Sequence, residues 1–230
     1  MSNVVVARKV FNVTPFVHVR KGLAWRVRRG PTLLLPEVPQ RLLETVRLFA
    51  PEARQQDGVV VAGSALLKGP FEVTPRLARG ARLPDGWAVA YVGEGPHGLV
   101  AGLARRLGGL WFQDGKAVTY REDEDQTVTV YLPRRPEPER LASLVEDVTH
   151  TATPDTDLYS GGLVSLLVRK VHEHHVTCDL HSSDAQRLGR TALAIAREFG
   201  GVALDGDGYR ITAPEDLKPV PQQRGRASER

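Results

Sequence analysis

The chain has 230 residues, 41% apolar and 25% charged, with one cysteine and a formal net charge of +4. Such figures suit a folded protein with room for two domains of about a hundred residues each. They exclude wholesale disorder, an intrachain disulfide and a multi-cysteine metal site.

Charge is unevenly placed. There are 31 Lys and Arg against 27 Asp and Glu, yet no acid precedes Glu37, while seven basic residues do: Arg8, Lys9, Arg20, Lys21, Arg26, Arg28 and Arg29. The whole positive excess therefore lies at the N-terminal end. A basic cluster attracts phosphate backbones, acidic proteins or anionic surfaces; it also serves as a solvated strand edge that resists aggregation. Both readings stand at this point. No apolar run approaches the roughly 18 residues of a membrane helix, so no membrane partner is expected. Arg8 and Lys9 follow a short apolar run, the reverse of a secretory signal, so a cytoplasmic protein is expected.

In chain order, residues 1–19 read as a basic strand or arm, and residues 23–30 and 33–35 as extended. A helix at about 38–50 follows, with Leu42, Val46 and Phe49 on one face and Pro36, Pro39 and Pro51 marking its ends. Asp57-Gly58 turns into a strand at 59–67. Residues 68–86 read as irregular, 87–92 as a strand and 96–107 as a helix that Gly108 can close in the left-handed conformation. Strands at 110–113 and 117–120 flank the turn Asp114-Gly115. Beyond the polar hinge 121–125, residues 127–132 alternate as a strand, 139–149 form a helix and 151–162 a loop. A hairpin at 163–171 and 175–181 leads to a helix capped by Ser182 or Ser183, and a strand at 202–204. Residues 214–230 lack periodicity and read as a disordered tail.

One phrase is written twice. Leu103-Ala104-Arg105-Arg106-Leu107-Gly108-Gly109-Leu110 returns 92 residues later as Ile195-Ala196-Arg197-Glu198-Phe199-Gly200-Gly201-Val202. Similarity at that period indicates two related modules. Both halves spell β-α-β-β-α-β. The fold class expected is therefore α+β: two tandem ferredoxin-like domains, at 20–121 and 126–213, each an antiparallel sheet with helices on one face. That fold hosts many unrelated activities and fixes none.

Three constellations could carry chemistry. Gly93-Glu94-Gly95-Pro96-His97-Gly98 matches G-x-G-x-x-G between a strand and a helix, with Asp114 21 residues after Gly93. Here the chain resembles the nucleotide-binding start of flavin- and nicotinamide-dependent oxidoreductases. The resemblance implies a tight turn at Gly93, pyrophosphate against Gly95, close packing at Gly98 and a ribose contact from Asp114. The same residues also read as a plain strand-to-helix turn, and on that reading no cofactor is expected.

In the second constellation, His175, Thr177, Asp179 and His181 share one face of a strand. His175, Asp179 and His181 are candidate catalytic residues, as metal ligands or as a general base with its orienting carboxylate. Same-face neighbours stand about 6.6 Å apart, which is wide for one metal. A polar exposed strand is the plainer reading, and no metal is expected. Cys178 reads as a small core residue.

The third is a basic surface. Arg20, Lys21, Arg26, Arg28 and Arg29, with Lys68, Arg76, Arg79 and Arg82, are the candidate nucleic-acid-binding residues. Trp25, Trp87, Tyr91 and Trp111 are the aromatics available to stack bases, although strand positions would make them core. The expected function is a non-enzymatic binding protein contacting nucleic acid or another polyanion, such as an acidic protein. A phosphodiester-cleaving enzyme built on the His-rich strand, and a small-ligand sensor or protein-interaction module, are the alternatives.

Overall fold

The computed structural model describes residues 16–118, 126–145, 148–153, 156–172 and 175–217. Helix α1 (Phe16–Arg29) precedes β1 (Thr32–Leu35), α2 (Leu42–Phe49), β2 (Arg54–Gln56), β3 (Val59–Ala62), β4 (Ala65–Glu72) and α3 (Pro75–Ala81). Then come β5 (Val89–Glu94), α4 (His97–Arg106), β6 (Leu110–Gln113) and β7 (Lys116–Val118). The second half runs β8 (Gln126–Leu132), α5 (Pro138–Leu144), β9 (Thr149–Ala152), β10 (Thr156–Ser160), β11 (Ser165–His172), β12 (His175–Ser182), α6 (Ala185–Phe199) and β13 (Val202–Asp205). No helix among the described residues is long and apolar enough to cross a membrane.

The strands form two antiparallel sheets, ordered β2-β3-β4-β5-β1-β6-β7 and β13-β8-β12-β11-β10-β9. Read from β6 and from β13 the two orders coincide: β6-β1-β5-β4-β3-β2 matches β13-β8-β12-β11-β10-β9. In each, the strand after the last helix lies beside the first strand, and an extra hairpin extends the far edge.

The doubled glycines explain why the repeated phrase survives in both halves. Gly108 and Gly200 take φ values of +64° and +68° at the ends of α4 and α6, where a side chain is strained. The glycine that follows each returns its amide to the helix, Gly109 N to Ala104 O at 2.8 Å and Gly201 N to Ala196 O at 2.7 Å. A Cβ on Gly109 would lie 2.6 Å from Leu34 O, and one on Gly201 2.5 Å from Tyr131 O. The second glycine therefore lets the helix end settle on the first strand of its own sheet.

The two sheets differ in what covers them. Helices α2 and α4 pack on one face of the first sheet, over Leu33, Leu35 and Tyr91. Helices α1 and α3 pack on the other, over Leu34, Ala90, Val92 and Phe112. Helices thus cover both faces of this sheet, which is why all four residues of β1 are buried. Among the described residues, the second sheet carries helices on one face only, α5 and α6 against Val128, Val130, Cys178 and Leu180. Its strand β8 accordingly alternates, with Val128, Val130 and Leu132 buried, Thr127 and Thr129 half-buried and Tyr131 exposed.

Several local expectations change. Residues 23–29 belong to α1 instead of a strand. Trp25 and Val27 alternating with arginines mimic a period of two, but Leu23, Ala24 and Val27 share a helical face that packs on the sheet. The stretch 68–86 holds most of β4 and all of α3. Thr74 caps α3, its Oγ1 accepting from Leu77 N at 3.2 Å, and Pro75 occupies the first turn. The strand expected at 59–67 is a hairpin, turning at Gly63 with φ +60°. The expected loop 151–162 contains half of β9 and all of β10. The cap of α6 is Asp184, which accepts from Arg187 N at 3.0 Å. Residues 214–217 form a 3₁₀ turn with Leu217 buried. The expected arm as far as residue 15 and the tail from 218 lie outside the described residues.

Candidate nucleic-acid interface

Helices α1 and α3 lie side by side on the first sheet. A Cβ on Gly80 would stand 3.3 Å from Ala24 Cβ, so the helices approach closely at that point. Val27, Leu77 and Ala81 point into the sheet. The opposite sides of both helices carry arginine: Arg26 and Arg29 on α1, Arg76 and Arg79 on α3, and Arg82 just past the end of α3, all exposed. Arg28 is half-buried beside the β6–β7 turn, where its carbonyl accepts from Gly115 N at 2.8 Å.

None of these six arginines is in an ion pair among the described residues. Cations in the last turn favour a helix, which explains some of them. It does not explain exposed Arg76 in the first turn of α3, where the dipole is unfavourable. Arg20 and Lys21 lie in α1 as well. Lys68 is different, because its ammonium is held 2.6 Å from Glu94.

Of the four aromatics nominated as stacking groups, one is available. Trp25 is 64% exposed on α1. Tyr91 is buried, and burial raises the pKa of its phenol. Trp87 and Trp111 are half-buried against the two cores of the first sheet.

The glycine motif is used for packing. A Cβ on Gly93 would meet Val100 Cγ2 at 2.5 Å, and Gly95, at φ +110°, sits against Ala65. The space beside Gly98 is filled by the backbone carbonyl of Asp207, at the first turn of α4. Asp114 shapes the β6–β7 turn with φ +51°.

The His-rich strand places its candidates in a line and does not converge them. Asp179 Oδ1 accepts from Thr129 Oγ1 at 2.8 Å, and its Oδ2 accepts from Arg169 Nε at 2.9 Å and from Arg169 Nη2. Two residues along, His181 Nδ1 lies 3.2 Å from Thr127 Oγ1. His175 is exposed at the hairpin end opposite His172, about 13 Å along the strand from Asp179. Among the described residues no group of three His, Cys, Asp or Glu is placed to hold a metal ion. Cys178 is buried beneath this strand, and burial first, then Asp179 and Asp157, pushes its thiol up to about 12.

Two polar clusters escaped the sequence. His150 lies on β9, its Nε2 3.3 Å from Asp157 Oδ1 and its ring stacked on Tyr159 with centroids 4.5 Å apart. Arg135 completes the group through Nε at 3.1 Å and Nη2 at 2.7 Å to Asp157 Oδ2. Burial, with the charge of Asp157, lifts the Tyr159 phenol to about 12. The only advance signal was alternation at Asp157 and Tyr159, hidden in a stretch read as a loop.

The second cluster joins the halves of the chain. Asp205 Oδ1 accepts from Asp207 N at 3.0 Å and Tyr209 N at 2.9 Å, and its Oδ2 accepts from Arg105. Arg106 Nη2 is 2.8 Å from the same Oδ2 but off the hydrogen-bonding direction, a contact of charges. Its guanidinium lies over the Tyr209 ring, 4.5 Å from the centroid. Tyr209 is fully buried in the core of the first sheet and donates to Leu99 O at 2.6 Å. Comparison with family models, curated proteins and solved structures found no match for this chain.

Proposed function

We propose that the protein is a non-enzymatic binding protein of two tandem ferredoxin-like units, at about 20–121 and 126–213, and that the first unit holds nucleic acid on its α1/α3 face. The shared strand order of the two sheets supports the fold assignment, since it places the last strand beside the first in each half. Helices α1 and α3 are additions to that pattern, and they carry the arginines.

The observation that carries the functional reading is charge without a partner. Arg26, Arg28, Arg29, Arg76, Arg79 and Arg82 crowd two adjacent helices, and no ion pair among the described residues neutralises them. Guanidinium groups so placed repel one another and are relieved by phosphate, which they bind bidentately.

The test is the salt dependence of binding by the full chain to a labelled oligonucleotide. Replacing Arg76, Arg79 and Arg82 together by glutamine should weaken binding at low salt. It should also flatten the log K against log salt plot by about 0.7–0.9 for each phosphate that is no longer neutralised. An unchanged slope and affinity contradict the reading.

A further inference from the structure

Resting on that reading, the identity of the nucleic acid follows from two residues that charge alone does not explain. Trp25 stands 64% exposed on α1, next in sequence to exposed Arg26. On a helix the residues three and four positions on are its neighbours, so Arg28 and Arg29 flank it on one side. On the other side, three positions earlier, stands Gly22.

Glycine is the poorest helix former after proline, and packing does not demand it at this position. Among the described residues, a Cβ on Gly22 would meet nothing within 4 Å. Long helical side chains lean toward the N-terminus, so the side of the indole facing Gly22 is where a bulkier residue would stand. Glycine keeps a side chain out of the position one turn before Trp25.

A flat ring with an open side and cations around it fits an unstacked base carrying phosphates. A duplex keeps its bases stacked on one another and offers no free ring face. Single strands offer one at every residue. We propose that the α1/α3 face takes single-stranded nucleic acid, one base stacking on Trp25 above Gly22 while Arg26, Arg29, Arg76 and Arg79 hold the flanking phosphates.

The experiment uses the full chain with three labelled probes: an oligothymidylate, an oligouridylate and a duplex of equal phosphate count. Trp25→Ala and Gly22→Gln both change exposed positions, and circular dichroism checks that each variant folds. Each should weaken single-strand binding roughly tenfold, with little change in salt slope. Duplex binding should be weaker in the parent protein and indifferent to both changes. An Arg76→Gln, Arg79→Gln variant should flatten the slope for every probe.

If only the arginine variant has an effect, the stacking proposal is overturned and the nucleic-acid reading stands. Duplex binding as tight as single-strand binding, with equal loss on Trp25→Ala, also overturns it. If no probe binds while an acidic polypeptide does, both proposals fail.

Discussion

Tyr209 shows how much one side chain can decide. It comes from the loop after β13, yet its ring lies in the core of the first sheet, against Phe49 at 5.2 Å between centroids and under the Arg106 guanidinium. Gly102 on α4 makes room for it: a Cβ there would clash with the ring. We expect Gly102→Ala to destabilise the protein by about 1–3 kcal/mol in urea titration, the usual cost of overfilling a core. Tyr209→Ala should cost about 3–5 kcal/mol, as for other large buried aromatics. In the double variant the Gly102→Ala penalty should largely vanish, because the atoms it strikes are gone. Simple additivity of the two would contradict the packing described. Neither residue announced this pairing in the sequence, since a glycine within a helix and a tyrosine after an Asp-Gly pair do not reveal contact across more than a hundred residues.

Among the elements, the closing turn 212–217 is set by one carboxylate. Asp216 Oδ2 accepts from Thr212 N at 2.7 Å, Thr212 Oγ1 at 2.9 Å and Ala213 N at 3.0 Å. Partial burial alone would raise its pKa. The Thr212 and Ala213 amides, the Thr212 hydroxyl and the charge of Arg106 outweigh burial and hold it below the usual value. A carboxyl lowered on folding contributes stability that is present above its unfolded pKa of about 4 and is lost as pH falls through the lower folded value. Asp216→Asn should therefore be less stable near pH 7, by about 1 kcal/mol at this partly solvated turn. The gap should close below about pH 4, and thermal unfolding across pH measures it. A gap independent of pH would contradict the account.

The elements most legible in advance were those with a strong local signal. Helix α4, its left-handed Gly108, strand β6 and the β11–β12 hairpin all lie near where periodicity and turn residues put them. Helix α1 was not legible, because Trp25 and Val27 alternating with Arg26 and Arg28 imitate a strand. Helix α3 was legible in principle: Thr74-Pro75 is a cap followed by a first-turn proline. The basic residues of the candidate interface were nominated from charge alone. That they sit on two adjacent helices with Trp25 depended on α1 being helical. The glycine motif was visible too, but its meaning lay in Val100, Ala65 and Asp207, which only the folded chain brings near.

At the scale of the whole molecule, the duplicated phrase marks a common scaffold and the additions mark where the halves diverge. Both sheets share one strand order. The first has gained α1 and α3, and with them an arginine-rich face. In the second, no helix among the described residues covers one face, where Thr129, Asp179 and Arg169 bond to one another and Tyr131 is exposed. Asp205 and Tyr209 tie the second half to α4 of the first. The most direct test of where nucleic acid is held is ultraviolet cross-linking of a bound oligothymidylate to the full chain, with the linked peptides mapped by mass spectrometry. Cross-links are expected on α1 at Trp25 and on α3. Cross-links confined to the other face of the second sheet, at Thr129 or Tyr131, would overturn that placement.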